Sequence, residues 1–502
     1  MNKKQIDTKW KKPKRFDRNL LVIGGGAAGL VTAYIASAVK AKVTLVEAHK
    51  MGGDCLNYGC VPSKTLIKSA KIAHQIRSAE RYGFEKITPT LSFKKVMTRI
   101  QDVIRAIEPH DSVERYTELG VEVLCGRAKI IDPWRVEIHQ DEGSPVTLTT
   151  RSMVLATGSH PVIPAIDGLD ETGYLTSDTL WEEFSEREHL PKRLLILGGG
   201  PIGCELAQSF SRLGASVTQV ELAPRILIRE DEEISSQAQS FLERDGVNVL
   251  TAHRAIRCRI DGSRKFLVAE HGGVQKNIEF DDLICAVGRT PQLTGFGLED
   301  LGIDTKQTLE TNEYLATLYP NIFAAGDIVG HYQFTHTAAH QAWYAAVNAL
   351  FGQFKKFKVD YRVIPRITFL DPEIASVGLN EAEAKRLGID YEVSTYSMQE
   401  LDRAITEGAT DGMLKVLTAP GRDRILGATI VSEHAGESLA EITLAMKQGI
   451  GLNKLLGTIH AYPTWSEANK YVAGEWKRQH APERVLKWLE RYHSWRRGKD
   501  HG

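Results

Sequence analysis

The stretch Leu20-Leu-Val-Ile-Gly24-Gly-Gly26-Ala-Ala-Gly29 joins a short apolar run to three glycines spaced G-x-G-x-x-G. An apolar segment of helical character follows, and the next predicted strand ends at Glu47. A glycine turn before a helix lets a pyrophosphate approach the backbone N–H groups at the positive end of the helix dipole. An acidic residue at the end of the next strand is placed to bind ribose hydroxyls. The stretch therefore predicts a Rossmann-type nucleotide-binding unit.

The same pattern recurs later in the chain. Arg193–Leu197 is a predicted strand, Gly198-x-Gly200-x-x-Gly203 opens a helix, and the following strand ends at Glu221. In both copies the acidic residue follows the first glycine by 23 residues, from 24 to 47 and from 198 to 221. Strand, glycine turn, helix and acid in this order make the motif specific. The sequence therefore predicts two Rossmann-type units.

Two shorter segments also resemble each other. Met153–Ser159 and Leu283–Arg289 each form a predicted strand that ends in a turn, at Gly158 and at Gly288. We interpret both segments as crossings between domains. From about Arg366 onward, strands alternate with helices without a glycine motif, which indicates a third domain.

The composition is that of an ordinary globular protein. The chain has 502 residues, of which 42% are hydrophobic, and it carries 63 basic and 63 acidic side chains. Zero formal net charge disfavours a wholesale nucleic-acid binder. Both ends are basic, however, with a net +6 in residues 1–18 and a net +5 in residues 476–502. The uncharged run Leu20–Val39 imitates a membrane span, but its glycines favour a strand, a turn and a helix.

Six cysteines in a chain of this length do not form a disulfide scaffold. Four of them stand alone in apolar surroundings and are predicted to be buried small hydrophobes: Cys125, Cys204, Cys258 and Cys285. The other two lie close together in the sequence.

The close pair is Cys55 and Cys60, which precede a predicted helix that also carries Lys64. Two cysteines at this spacing can form a disulfide on one side of a bound cofactor, and a helix N-terminus and a nearby lysine both lower a thiol pKa. Zinc would need two further ligands at recognisable spacing, and none is close in the sequence. Two merely buried cysteines are the alternative, but the pattern favours a redox-active pair.

These residues carry a family resemblance. The stretch 52–64, GGDCLNYGCVPSK, resembles the active-site signature of the pyridine nucleotide–disulfide oxidoreductases, which include dihydrolipoamide dehydrogenase, glutathione reductase and mercuric reductase. The resemblance extends from Asn19 to about Gly474, and the mercuric reductase-like and dihydrolipoamide dehydrogenase-like members are the most similar. It implies FAD, a pyridine nucleotide and a homodimer, and it implies no resident metal.

The resemblance implies roles for further residues. Asp327 ends a segment similar to the second FAD motif and would bind the ribityl chain, while the helix entered near Thr335 would aim its N-terminus at the flavin. Glu205 would pair with Lys64 beside the flavin. The implied FAD-binding residues are Gly24, Gly26, Gly29, Glu47, Gly53, Gly158, Asp327 and Thr335. The implied NAD-binding residues are Gly198, Gly200, Gly203, Glu221 and Gly288.

The implied fold is α/β, with two Rossmann-type domains for FAD and NAD and an α+β C-terminal dimerisation domain. We predict an FAD domain in two parts, 1–160 and 291–362, on either side of an NAD(P) domain at 161–290. An interface domain at 363–475 and a basic amphipathic helix at 476–502 would complete the chain.

The implied reaction has two stages. A nicotinamide hydride passes to the flavin, which then reduces the Cys55–Cys60 disulfide. Cys60, nearer the flavin, would hold the thiolate of a charge-transfer complex, and Cys55 would exchange with the substrate.

The block at residues 460–467 departs from the family pattern. Most members place a histidine from the partner subunit directly before Pro-Thr, held by the glutamate that is Glu467 here, but this chain has Tyr462. A phenol with a pKa of about 10 is a poorer general base at neutral pH than an imidazole of about 6.5. Efficient turnover of dihydrolipoamide or glutathione is therefore not expected. His460 could substitute, although a structural role for it is favoured.

A tyrosine at this position resembles mercuric reductase, in which metal ligation replaces acid–base exchange. Yet no cysteine follows Cys285 and an N-terminal Cys-x-x-Cys domain is missing, so the usual thiol relay for Hg(II) is not supported. The coenzyme is expected to be NADH, because a carboxylate at Glu221 would accept a bond from the ribose 2′-OH and repel a 2′-phosphate. Arg225 and Arg229 could weaken the preference for NADH over NADPH, but we interpret them as solvated surface charges.

The basic C-terminal segment has the pattern of an amphipathic helix. Its apolar residues recur at three- and four-residue intervals: Val485, Trp488, Leu489, Tyr492 and Trp495. Packing on its own or the partner subunit is favoured over binding to a membrane surface. Trp10, among the basic residues at the other end, is compatible with either.

The leading interpretation is an FAD-dependent, NADH-consuming reductase of a small disulfide or a metal ion, acting as a homodimer in the cytoplasm. Dihydrolipoamide dehydrogenase is the alternative within the class. A flavoprotein that passes electrons from NADH to a quinone or a membrane partner, and a redox-sensing interaction module, are the alternatives outside it. The Cys55–Cys60 pair together with Lys64 and Glu205 favours the reductase.

Overall fold

The computed structural model describes residues 10–330 and 332–498. The chain divides into two units, each of which is described by itself. The first unit comprises the residues up to Ile228 together with Leu242–Asp360. The second comprises Arg229–Phe241 and the residues from Tyr361 onward.

The strands of the first unit are β1 Arg18–Ile23, β2 Val43–Glu47, β3 Glu122–Cys125, β4 Arg127–Asp132, β5 Arg135–His139, β6 Val146–Leu155, β7 Ser159–Pro161, β8 Leu175–Thr176, β9 Arg193–Leu197, β10 Ser216–Val220, β11 Asn248–Leu250, β12 Arg254–Asp261, β13 Arg264–His271, β14 Val274–Phe280, β15 Asp282–Cys285, β16 Arg289–Pro291 and β17 Ile322–Ala324. Its helices are α1 Ala27–Ala38, α2 Gly53–Asn57, α3 Cys60–Arg77, α4 Phe93–Ile107, α5 Val113–Glu118, α6 Leu169–Thr172, α7 Leu180–Ser185, α8 Pro201–Leu213 and α10 Thr335–Phe351. Helix α9, Glu232–Arg244, is shared between the two units.

The first Rossmann sheet is built around β1. Strands β3, β2 and β1 are parallel neighbours, and β1 also pairs with the second half of β6, which β17 joins in parallel. The first half of β6 continues antiparallel into β5 and β4. Leu20, Leu21 and Val22 are fully buried, as expected for a parallel strand covered on both faces.

The run Leu20–Val39 is therefore a strand, a glycine turn and a helix, as predicted. Among the described residues, no helix is long and apolar enough to cross a membrane.

The second Rossmann sheet has the order β11-β10-β9-β15-β8, and all its pairings are parallel. An antiparallel meander, β12-β13-β14, lies beside it in the chain. The two predicted crossing segments end in β7 and β16, which pair antiparallel with Arg289 opposite Pro161. The two segments that resemble each other in sequence thus lie side by side.

The second unit is an α+β structure. Its strands are β18 Pro365–Thr368, β19 Glu373–Gly378, β20 Glu392–Ser397, β21 Met413–Thr418 and β22 Ile425–Ser432, in the antiparallel order β18-β19-β22-β21-β20. Its helices are α11 Glu381–Leu387, α12 Asp402–Glu407, α13 Ala435–Gln448, α14 Leu452–Leu456, α15 Glu467–Gln479 and α16 Glu483–Arg497. Leu414 and Ile430 of the sheet share one apolar core with Leu439 of α13 and Val472 of α15.

A buried ion cluster holds the segment Arg229–Phe241 to this sheet. Lys415 of β21 is almost fully buried, and its ammonium lies 2.5 Å from both Asp231 and Glu233 and 3.0 Å from Glu381. Three carboxylates around one buried amine compensate its charge and raise the pKa of Lys415 above its usual value.

The predicted fold class is confirmed: two Rossmann-type sheets and a separate α+β part are present. One prediction about the cysteines was wrong. Cys204, Cys258 and Cys285 are buried, but Cys125 is exposed. It ends β3, which is an edge strand of its sheet, so apolar neighbours in sequence do not cover it on both sides.

Candidate active site

The two cysteines of the signature lie in two successive helices. Cys55 is in the short helix α2, and Cys60 is the first residue of α3, directly after Gly59. Both are free thiols in this structure, as in the reduced state of a dithiol–disulfide pair. Cys60 thus lies at the positive end of a helix dipole, which stabilises a thiolate.

The two thiols differ strongly in acidity. A hydrogen bond from Cys55 lowers the pKa of Cys60 to about 6, and burial opposes this change. The hydroxyl of Thr335, 3.5 Å from the Cys60 Sγ, and the charge of Lys64 lower that pKa further. The same hydrogen bond, together with burial, raises the pKa of Cys55. At neutral pH, Cys60 is therefore the thiolate and Cys55 keeps its proton.

Lys64 and Glu205 form the ion pair that the sequence predicts. The Lys64 Nζ lies 2.8 Å from the Glu205 Oε2, although the two residues are far apart in the chain. Lys64 stands on α3 one turn after Cys60, and Glu205 stands on α8 after the second glycine turn. Glu205 is buried. A buried carboxylate needs such a counter-charge, so the pair joins the redox helix to the second Rossmann unit.

The glycines of the first Rossmann turn are required by close backbone contacts. A Cβ atom at Gly24 would lie 2.2 Å from the carbonyl oxygen of Ala156, and one at Gly29 would lie 1.7 Å from that of Gly24. A Cβ at Gly53 would lie 2.6 Å from the Cα of Gly26. The redox motif therefore begins in direct backbone contact with the dinucleotide turn.

The second turn repeats the first. A Cβ atom at Gly198 would lie 2.3 Å from the carbonyl oxygen of Ala286, and one at Gly203 would lie 2.1 Å from that of Gly198. Gly200 has no atom within 4 Å of its Cβ position, so this face of the turn is open. Helices α1 and α8 both begin after an extended glycine with no side-chain cap. Both turns therefore fit a dinucleotide pyrophosphate.

The two strand-end acids also occupy equivalent places. Glu47 accepts a 2.5 Å hydrogen bond from the N–H of Gly25, and Glu221 accepts one from the N–H of Gly199. Each also accepts a bond from the N–H two residues further along the chain. Both carboxylates thus lie at the edge of a glycine turn, where a ribose would follow the pyrophosphate.

The segment predicted to be the second FAD motif lies at the end of the first sheet. Asp327 follows β17, and burial raises its pKa. Thr335 begins α10, whose N-terminus has no side-chain cap. Because Thr335 contacts Cys60, this helix end lies at the redox pair. Gly158 and Gly288 have positive φ angles and open space at their Cβ positions, and each directly precedes a crossing strand.

Arg289 is a further candidate site residue, which the sequence analysis did not single out. Its guanidinium contacts Asp54 at 3.0 Å and Asp178 at 3.2 Å, and it donates a 3.0 Å bond to the hydroxyl of Ser159. Ser159 in turn donates a 2.7 Å bond to Asp327. One arginine therefore connects the redox motif, both crossing strands and the second FAD motif. The repeated Gly-Ser and Gly-Arg ends of the crossing segments were the available signal.

Asp54 lies directly before Cys55, and its carboxylate contacts the Arg289 guanidinium at 3.0 Å. Burial raises the pKa of Asp54 to about 6, and the charge of Arg289 acts against this rise.

The predicted acid–base residues lie in the second unit. Tyr462 is 68% exposed, and its hydroxyl donates a 2.9 Å bond to Asp402. This bond raises the pKa of the phenol above its usual value, which makes Tyr462 a still poorer acid at neutral pH. Glu467 is buried and accepts a 3.0 Å hydrogen bond from the backbone N–H of Thr464. This bond stabilises the backbone of the segment 460–467.

His460 is held by other groups of the same unit. Its Nε2 lies 3.0 Å from a carboxylate oxygen of Glu441, and its Nδ1 lies 3.1 Å from the carbonyl oxygen of Thr458. Its side chain is nearly buried. Both ring nitrogens thus have partners within the fold.

Most of the chain matches models of known protein domains. Residues 18–342 match the family model described as pyridine nucleotide-disulphide oxidoreductase, and residues 364–473 match the dimerisation domain of the same family. The second match supports a homodimer.

Similar proteins carry two enzyme names. The chain is 34% identical over 458 residues to a mercuric reductase of Streptomyces lividans, covering 91% of this chain and 95% of that protein. It is 34% identical over 457 residues to a dihydrolipoyl dehydrogenase of Thermus scotoductus, covering 89% and 95%.

Among solved structures, the flavoprotein disulfide reductase RclA of Escherichia coli, in its Cu(II) complex, superimposes with a TM-score of 0.80 at 26% identity, covering 91% of this chain and 99% of that one. LpdA of Mycobacterium tuberculosis superimposes with a TM-score of 0.82 at 25% identity, with the same coverage.

Proposed function

We propose a function from one premise: the chain belongs to the pyridine nucleotide–disulphide oxidoreductase family, whose members are FAD-dependent enzymes that use a pyridine nucleotide. On that premise, this enzyme oxidises NADH and reduces a thiophilic metal ion that Cys55 and Cys60 bind. The bound flavin would supply the transfer of two electrons from the nicotinamide to the cysteine pair. The chain's own residues then determine which substrate the reduced cysteine pair can reduce.

The observation that carries the proposal is the state of Tyr462. Reduction of a disulfide substrate releases a thiolate that leaves faster when its charge is neutralised by a proton. The phenol of Tyr462 is bound to Asp402 and its pKa is raised, so it is a poor proton carrier at neutral pH. A metal ion makes no such demand, because a coordinating thiol loses its proton to solvent on binding.

The cysteine pair is suited to that substrate. Cys60 is already a thiolate at neutral pH and can bind a soft cation first. Cys55 then loses its proton as it becomes the second ligand. The names of the relatives agree with this choice: one is a mercuric reductase, and the RclA structure is a Cu(II) complex.

Dihydrolipoamide dehydrogenase is the second candidate. A dihydrolipoyl dehydrogenase is as similar in sequence as the mercuric reductase, at 34% identity. The same argument from Tyr462 places this activity second, since lipoamide exchange needs a proton carrier.

The coenzyme is proposed to be NADH. Glu221 lies at the edge of the second glycine turn, where its carboxylate would repel a 2′-phosphate. The Arg225 guanidinium donates a 3.1 Å bond to the carbonyl oxygen of Ile228, which holds it to its own loop. We place the reaction in the cytoplasm, where thiols are kept reduced.

Anaerobic titration of the purified holoenzyme with NADH and with NADPH tests the first half of the proposal. A long-wavelength absorption band after two electrons would report the Cys60 thiolate against the flavin. Bleaching of the flavin without this band would contradict a role for the cysteine pair.

Steady-state NADH oxidation with Hg(II), Cu(II), lipoamide and glutathione disulfide tests the second half. Metal-dependent oxidation should be lost in Cys55→Ser and Cys60→Ser and kept in Cys125→Ser, an exposed cysteine on an edge strand. Efficient lipoamide reduction without a metal response would favour the second candidate. Electron flow to a quinone that survives Cys60→Ser would indicate an acceptor that bypasses the pair.

A further inference from the structure

The helix α16 (Glu483–Arg497) is a fully formed element that buries none of its residues. The preceding helix α15 packs into the second unit through buried Val472 and Trp476. Trp476 stacks on His480 with ring centroids 4.3 Å apart, and the short link Ala481-Pro482 separates this anchored end from α16. The last helix is therefore attached at one end and uncovered along its length.

One side of α16 is a continuous apolar and aromatic surface, which we call the aromatic face. It consists of Val485, Trp488, Leu489, Tyr492 and Trp495. The rings of Trp488 and Tyr492 stack at 5.8 Å, and those of Tyr492 and Trp495 lie 6.2 Å apart. Trp488 is 61% exposed and Trp495 is 74% exposed. Amphipathic rings of this kind favour boundaries that are apolar on one side and wet on the other.

The charges of α16 are sorted around this face. At about 100° per residue, Arg484 and Arg491 fall along one border of the aromatic face, and Arg496 falls at the C-terminal end of the face itself. Glu483 and Glu490 fall on the opposite pole of the helix. The helix therefore presents cations beside its aromatic face and turns its carboxylates away from it. A surface that covered this face would meet positive charge, and a negatively charged apolar layer is complementary to it.

The helix also lies outside the part of the chain that matches the dimerisation domain. The match to the dimerisation domain ends at residue 473, before α16 begins. The basic N-terminal segment is arranged differently where it is described, because Trp10 packs against the core of the first unit. Only α16, among these two basic ends as far as they are described, offers an uncovered aromatic face.

We propose that α16 docks the enzyme on an anionic lipid surface, lying in the plane of the interface. The aromatic face would enter the headgroup region, and Arg484, Arg491 and Arg496 would contact lipid phosphates. Helices with a cationic border and a Trp-rich apolar face bind membranes in this way. Each cation near an anionic leaflet strengthens binding by roughly fivefold, so three of them account for roughly a hundredfold.

Vesicle co-sedimentation of the full-length holoenzyme tests the proposal. The probes are vesicles of phosphatidylcholine alone and of phosphatidylcholine mixed with phosphatidylglycerol. The wild-type enzyme should bind the mixed vesicles, bind the neutral ones far less, and dissociate as salt is added. Binding should fall at least tenfold in Trp488→Ala/Trp495→Ala and roughly a hundredfold in Arg484→Gln/Arg491→Gln/Arg496→Gln.

Two matched controls isolate the helix. Phe354→Ala removes an aromatic side chain that is 81% exposed in the first unit, and it should leave vesicle binding unchanged. Glu490→Gln, on the far pole of α16, should also leave binding unchanged or strengthen it. Because α16 buries no residue, the variants should keep the NADH-oxidising activity of the wild type, which confirms that they are folded.

Three outcomes would overturn the proposal. The wild-type enzyme could fail to bind the mixed vesicles, or both α16 variants could bind them as well as the wild type does. Alternatively, light scattering could show that the tryptophan substitutions change the number of subunits, which would mean that a second copy of the chain covers the aromatic face.

Discussion

Replacing Thr335 with valine is expected to raise the pKa of the Cys60 thiol from about 6 to about 7. The Thr335 Oγ1 lies 3.5 Å from the Cys60 Sγ. Valine keeps the branched shape of threonine and removes the hydroxyl that donates to the thiolate. The substitution therefore tests one hydroxyl at the redox pair, which lowers the pKa of Cys60 and also acts on Cys55.

The magnitude follows from the kind of bond that is removed. A hydrogen bond to a charged group contributes about 1.5–3 kcal/mol, and a long bond to sulfur belongs at the low end of that range. One pKa unit corresponds to about 1.4 kcal/mol, so the expected shift is about one unit. The sign is upward, because the hydroxyl lowers the pKa of Cys60 by stabilising its thiolate, and losing it favours the thiol.

The assay is a pH titration of the enzyme reduced anaerobically with NADH, followed through its long-wavelength absorption band. Thr335→Ser keeps the hydroxyl and should titrate like the wild type. Thr337→Val makes the same change at a buried position of the same helix and should also leave the midpoint unchanged. A wild-type midpoint in Thr335→Val, or an equal shift in Thr335→Ser, would refute the assigned hydrogen bond.

Three further changes test other parts of the site. Lys64→Met removes the ammonium that pairs with buried Glu205, and it should lower the free energy of unfolding in urea titrations by about 2 kcal/mol. This loss is smaller than for a fully buried pair because Lys64 is 35% exposed. The double variant Lys64→Met/Glu205→Gln should recover part of the lost stability. Gly24→Ala places a Cβ atom against the backbone at a position with a positive φ angle, and it should abolish flavin retention, measured as flavin per chain after gel filtration. Gly83→Ala is the control, because Gly83 also has a positive φ angle but has open space at its Cβ position. This variant should lower the free energy of unfolding by only about 1 kcal/mol. Tyr462→His places a base with a pKa of about 6.5 in the interface block and should raise lipoamide turnover at neutral pH; an unchanged rate would remove the main argument against that substrate.

The Rossmann units could be predicted from the sequence because their requirements are local. Positions 24 and 198 require glycine, because a Cβ atom at either position would lie under 2.5 Å from a backbone carbonyl oxygen, that of Ala156 or of Ala286. Because no other residue fits at these positions, the close contact is visible in the sequence as the G-x-G-x-x-G spacing. The acids Glu47 and Glu221 follow at a fixed distance for the same reason, because each must reach back to its own glycine turn.

Contacts between distant parts of the chain were not predictable in this way. The Lys64–Glu205 pair was expected only through the family resemblance, since nothing local links α3 to α8. Arg289 meets Asp54 because β7 and β16 pair with each other although they are far apart in the chain, and that pairing leaves no periodic signal. Cys125 was misplaced for a related reason: whether a strand lies at the edge of a sheet depends on topology, not on its own residues.

The acidity of the two thiols links the described geometry to the choice of substrate. Two helix N-termini, those of α3 and α10, meet at Cys60, and the hydroxyl of Thr335 and the charge of Lys64 act in the same direction. These groups belong to one chain, so the thiolate of Cys60 forms without help from the interface block. Cys55 is the thiol that still carries a proton when the pair is reduced. An acceptor that displaces this proton by itself, as a soft metal ion does, can therefore be reduced with Tyr462 in place, whereas an organic disulfide depends on the residue at that position.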